Sequence, residues 1–106
     1  PGYVQDFEKY KAKGVDEIIC VSVNDAFVMA AWGEASGATG KVRMLADPNG
    51  ELAIALGIEK RGTPLGPIRC RRFSALVENG IIKVWNLEPE GVPMACSLSG
   101  SLLSAL

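Results

Sequence analysis

The chain has 106 residues, 48% of them apolar and 22% charged, which is the balance of one globular domain with a real core and argues against disorder. Eleven basic residues against twelve acidic ones leave a net charge of -1, so no whole-chain field draws it to nucleic acid or an anionic membrane. With no histidine, the commonest zinc ligand and the usual general base near neutral pH are both missing, and neither a metal nor a cofactor is expected.

Pro1 suits the first turn of a helix, and Tyr3, Phe7 and Tyr10 recur at helical spacing between polar residues as far as Gly14. One amphipathic helix is predicted there. Ile18 to Val23 is a short, nearly continuous apolar run, the pattern of a central parallel strand covered on both faces, with Cys20 a small buried thiol inside it. Asn24 or Asp25 caps the next helix, whose Phe27, Val28, Ala30, Ala31 and Trp32 are apolar and whose end is loosened by Gly33 and Gly37. The longest apolar run, Ala26 to Trp32, is much too short to cross a bilayer core of roughly 30 Å, and no basic leader precedes it.

Val42 to Ala46 reads as a second strand, Asp47-Pro48-Asn49-Gly50 as a turn, and Glu51 to Leu56 as a brief helix before Gly57. Turn and helix-start chemistry accounts for Asp47 and Glu51. From Ile58 to Arg71 no period is clear, and Gly62, Pro64, Gly66 and Pro67 predict a long connection. Arg72 to Glu78 and Ile81 to Leu87 flank Asn79-Gly80, the dipeptide of a two-residue type I′ hairpin turn. A loop from Glu88 to Pro93 follows, and Ser97 or Ser99 starts a closing helix with Leu102, Leu103 and Leu106. The sum is one α/β domain over residues 1–106, with parallel strands joined by helices, an antiparallel hairpin and a C-terminal helix. No neighbour is available for the second side of the Ile18 strand, so the sheet is expected to lack its first strands.

Three cysteines, Cys20, Cys70 and Cys96, are widely spaced without a Cys-x-x-Cys pair, which fits free or redox-active thiols in an intracellular protein better than a secreted disulfide scaffold. Arg69, Arg71 and Arg72 surround Cys70. The bland reading of Arg69 and Cys70 is a solvated basic loop with an incidental thiol, whereas Arg72 abuts a strand and can be held in place to bind an anion or peroxide oxygen. Cys96, in a serine-rich tail, is the more reachable thiol. Trp32, Trp85, Tyr3, Phe7 and Phe27 read as core or interface.

Several stretches together resemble the type II, peroxiredoxin-5-like atypical two-cysteine peroxiredoxins. They are Pro1-Gly2-Tyr3-Val4, Lys11-Ala12-Lys13-Gly14-Val15, Val21-Ser22-Val23-Asn24-Asp25-Ala26-Phe27-Val28, Gly40-Lys41-Val42-Arg43-Met44-Leu45-Ala46-Asp47-Pro48, Arg72-Phe73-Ser74, Asn86-Leu87-Glu88-Pro89-Glu90-Gly91 and Cys96-Ser97-Leu98. The resemblance implies a thioredoxin-like fold, incomplete at its N-terminus, and thiol-dependent reduction of hydrogen peroxide or organic hydroperoxides with thioredoxin or glutaredoxin as reductant. It makes Arg72 the residue that steadies peroxide and thiolate, and Cys96 the candidate resolving cysteine, with Cys20 the alternative.

The family's peroxidatic cysteine, in a Pro-x-x-x-Thr-x-x-Cys loop, has no counterpart among these residues, so the chain alone is expected to be inactive. Cytoplasm, mitochondrion and chloroplast all remain open as locations, and a homodimer is compatible with the family. The alternative is a non-catalytic thioredoxin-like module, or truncated isoform, that docks on an intact peroxiredoxin through the loop around Leu65 and the face near Trp32.

Overall fold

The structure is a computed structural model and describes residues 2–64, 66–89 and 96–106. Pro1, Leu65 and most of the loop expected between Glu88 and Pro93 lie outside these residues. Two short helices, α1 (Gly2–Gln5) and α2 (Phe7–Ala12), stand where one was predicted. Asp6 leaves helical geometry between them (φ -91°, ψ 9°), yet the aromatic stripe survives: the Tyr3 and Tyr10 rings stack with centroids 5.8 Å apart.

Strand β1 (Ile18–Ser22) pairs in parallel with β2 (Val42–Ala46), Ile18 against Val42 and Ser22 against Ala46, and α3 (Ala26–Ala35) crosses between them and packs on β2. Asp25 caps α3 as expected, its Oδ1 accepting the Val28 N–H at 2.8 Å. The apolar run of α3 is not all core. Met29 is fully buried, but Phe27 is 87% exposed, and Trp32 is exposed as well. Nor is β1 covered on both faces. Ile19 is exposed and Cys20 only partly buried, and among the described residues β1 has one strand neighbour.

After β2, Gly50 adopts a left-handed conformation (φ 69°), and a Cβ there would come within 2.6 Å of Ile68 Cγ2. Gly50 occupies the N-cap position but has no side chain to accept the N–H groups of the first turn. Asp47 does so instead, its Oδ2 accepting from the backbone N–H groups of Leu52 (3.1 Å) and Ala53 (3.2 Å) at the start of α4 (Glu51–Ala55).

The expected long connection is in fact a hairpin. Strand β3 (Glu59–Thr63) runs antiparallel to β4 (Gly66–Cys70), with Glu59 opposite Cys70 and Arg61 opposite Ile68. Charged residues and Pro67 conceal the alternation by which a strand is recognised. Arg69 and Cys70 therefore belong to a strand and not to a solvated loop. Arg69 Nη1 donates to the Val23 carbonyl at 3.0 Å, and Cys70 packs against the core of Val23, Ala53 and Ile58, to which Leu56, Phe73 and Leu87 also contribute.

Strand β5 (Phe73–Glu78) turns at Asn79-Gly80 into β6 (Ile81–Leu87). Both turn residues have positive φ, 51° and 78°, as a type I′ turn requires. Phe73 and Trp85 stack across the ladder with centroids 5.0 Å apart. Helix α5 (Ser99–Ser104) follows Leu98 and packs on α1 and β5. Tyr10 OH donates to the Ser99 carbonyl at 2.8 Å, which ties the N-terminal helices to the C-terminal segment. Among the described residues no helix is long and apolar enough to cross a membrane.

Candidate active site

Arg72 stands at the mouth of the second hairpin, one residue before β5. Its carbonyl accepts the Glu88 N–H at 2.9 Å, which carries the ladder one step past the Phe73 and Leu87 pair. The side chain is solvent-exposed, and its Nε donates to Ser97 Oγ at 3.1 Å. Among the described residues this is the only hydrogen bond of the guanidinium. Committing Nε fixes the plane of the group and leaves the two Nη nitrogens, a rigid pair of donors, for an incoming oxygen.

Ser97 is itself held at every polar atom. Its N–H donates to Glu88 Oε1 at 2.6 Å, its carbonyl accepts from Tyr3 OH at 2.7 Å, and its hydroxyl receives Arg72. Ser97 and Glu88 are both buried, at 3% and 6% exposure, so these bonds are shielded from competing water. Arg71 Nη2 donates to the Glu88 carbonyl at 3.1 Å, and Ser74 Oγ reaches the Cys96 carbonyl at 3.4 Å while accepting from Asn86 Nδ2 at the same distance. The start of β5, the end of β6 and the Cys96-Ser97 segment thus form one polar network.

The thiols differ in setting. Burial pushes the Cys20 thiol up, and the Arg72 charge acts in the opposite direction, drawing it toward the thiolate. Cys96 is partly buried and less open than its serine-rich surroundings imply. A hydrogen bond to the Glu88 carboxylate raises its pKa first of all, with burial and the Glu88 charge acting in the same sense. Cys70 is raised by burial and then by Asp47. Each of the three thiols is thus shifted toward its protonated form. The phenol of Tyr3 is also raised, by burial, although Ser74 and Arg72 both pull it down.

A hydrogen bond joins Arg72 to Ser97, the neighbour of Cys96, whereas Cys20 feels Arg72 only through its charge. Glu88, Ser97, Ser74 and Tyr3 were not singled out for this role by the sequence. Glu88 followed by Pro89 reads as a turn residue and Tyr3 as core, and no local signal marks either as a partner of residues far along the chain. A separate open hollow of about 330 Å³ at the other end of β1 and β2 is lined by Phe7, Lys11, Lys41 and Arg43, among others, and includes none of the candidate residues.

The Redoxin family model matches residues 1–98. Peroxiredoxin-2E, chloroplastic, from Arabidopsis thaliana is 43% identical over 109 residues, covering 100% of this chain and 46% of that protein. The crystal structure of reduced Prx3 in complex with H2O2 from Vibrio vulnificus superposes with a TM-score of 0.94 at 42% identity, covering 100% of this chain and 68% of that one. Peroxiredoxin 5 from Alvinella pompejana gives a TM-score of 0.86 at 37% identity, over 99% of this chain and 65% of that one. The chain spans about half the length of the curated relatives it matches.

Proposed function

This chain belongs to the Redoxin family and has the thioredoxin-like peroxiredoxin fold, and on that premise we propose that it carries the peroxide-positioning and resolving half of a thiol peroxidase. The observation that carries the reading is the Arg72 guanidinium, held by Ser97 through Nε with both Nη groups open among the described residues, and acting through its charge on Cys20. The substrate is hydrogen peroxide or an organic hydroperoxide, and thioredoxin or glutaredoxin is the reductant. A permanently charged planar donor suits this task because negative charge develops on the peroxide oxygens as the O–O bond breaks.

In this reading the attacking thiolate is not Cys20, Cys70 or Cys96, none of which stands in the Pro-x-x-x-Thr-x-x-Cys setting of the family's peroxidatic cysteine. Its sulfur takes one peroxide oxygen to become a sulfenic acid, and the other oxygen leaves as water or alcohol after protonation. The Cys96 sulfur then attacks the sulfenic sulfur, forming a disulfide and releasing water, with Cys20 as the alternative resolving residue. Two thiols of the reductant restore the starting state by exchange and become a disulfide themselves. This cycle belongs to a reducing intracellular compartment, and the chloroplastic relative makes an organelle a natural place for it.

Peroxide-dependent oxidation of thioredoxin or glutaredoxin tests the reading. The 106-residue polypeptide should give none. In the longest native protein containing it, Arg72→Met should lower kcat/KM for peroxide by about a hundredfold, the usual loss when a preorganised donor is removed. Turnover by the 106-residue polypeptide that disappears on Cys20→Ser or Cys96→Ser would overturn the reading.

A second reading, a non-catalytic module that docks on an intact peroxiredoxin, is favoured by one observation: among the described residues, β1 is hydrogen-bonded to a neighbouring strand along one edge only. The exposed Trp32 face would be part of that surface, and a homodimer would use the same open edge.

A further inference from the structure

We propose that Ser97 is a positioning residue that aims the Arg72 guanidinium, and that it lets go when the adjacent Cys96 is drawn into a disulfide. The catalytic consequence rests on the peroxidase reading, whereas the coupling itself stands on the hydrogen-bond geometry. An arginine side chain loses substantial rotamer entropy when it is fixed, and an exposed one is not held by packing. Among the described residues the restraint on Arg72 is a single bond, Nε to Ser97 Oγ at 3.1 Å. That bond orients only if Ser97 does not move, and Ser97 has its N–H on Glu88 (2.6 Å) and its carbonyl on Tyr3 (2.7 Å).

Cys96 and Ser97 share one peptide, whose N–H donates to Glu88 at 2.6 Å and whose carbonyl receives Ser74 Oγ at 3.4 Å. Consecutive Cα atoms lie about 3.8 Å apart across that peptide, so a Cys96 backbone that shifts to bring its sulfur into a disulfide turns the Ser97 N–H away from Glu88 with it. In the reduced protein the guanidinium is aimed and ready to receive peroxide. Once Cys96 is in a disulfide, Ser97 no longer presents its hydroxyl, Arg72 swings free, and a second peroxide is held less well until the thiol is restored. The network thus links oxidation of the resolving thiol to the affinity of the site.

Two measurements on the longest native protein containing these residues test the coupling. Hydrogen exchange at the Arg72 Nε–H, read by NMR, should quicken about tenfold in Ser97→Ala, the loss expected for one hydrogen bond to a charged group. It should quicken similarly when Cys96 is alkylated with Ser97 intact and Cys20 and Cys70 replaced by serine. In steady state, Ser97→Ala should raise KM for peroxide several-fold with little change in kcat. Exchange that stays at the parent rate in Ser97→Ala, or after Cys96 alkylation, overturns the proposal. Faster exchange in a protein that reduces no peroxide keeps the coupling and removes the peroxidase reading.

Discussion

The carboxylate of Glu88 accepts the Ser97 N–H at 2.6 Å and raises the pKa of the Cys96 thiol next to it, so one buried group bears on both a backbone position and a protonation state. The thiol can donate only while it is protonated, which is why Glu88 raises its pKa. The raised value means that this contact helps the fold at pH below the ordinary thiol range and is lost as pH rises through the elevated pKa. Glu88→Gln keeps an acceptor for Ser97 but removes the charge. It should move the pH midpoint of Cys96 alkylation downward, measured by rates of iodoacetamide modification with Cys20 and Cys70 replaced by serine. Arg72 and Cys96 were legible as chemistry-bearing residues because a guanidinium beside a strand and a thiol in a polar tail are chemically conspicuous. Glu88 and Ser97 were not, since their roles arise only where the end of β6 meets the segment before α5.

Among the elements, those with strong local signals came out as expected. The Asn79-Gly80 turn, the parallel pair β1 and β2, and the capped start of α3 are each dictated by residues close in sequence. The β3 and β4 hairpin was missed because its charged residues and Pro67 interrupt the period of two, and because its pairing is set by the core beneath it, where Cys70 meets Ala53 and Ile58. Helix α4 depends on a cap that reaches across its own turn. With Gly50 at the boundary, Asp47 supplies the acceptor for Leu52 and Ala53. Asp47→Ala should cost about 1 kcal/mol of stability, lowering Tm by about 4–8 °C in a domain of this size. A thermal melt checks it, and an unchanged midpoint would show that the helix is held by packing alone.

At the scale of the whole molecule, the described strands form three two-stranded sheets rather than one, and β1 carries an open edge with Ile19 exposed beside it. An unpaired edge with an apolar neighbour invites another strand. The 106-residue polypeptide should therefore associate, with itself or with an intact peroxiredoxin, in a concentration-dependent manner on size-exclusion chromatography, and Ile19→Lys should weaken that association. A monomer at every concentration, inert toward the intact enzyme, would remove the docking reading. The sequence by itself determined the α/β class, the type I′ turn, the helix caps and the chemical identity of Arg72, Cys20 and Cys96, because side-chain chemistry and local backbone preference act over a few residues. Only the tertiary structure decided that Arg72 bonds Ser97 beside Cys96, that the Ser97 N–H is taken by Glu88 and that the charge of Arg72 acts on Cys20. Those effects depend on burial and on distances between residues far apart in the chain, and no periodicity or motif encodes either.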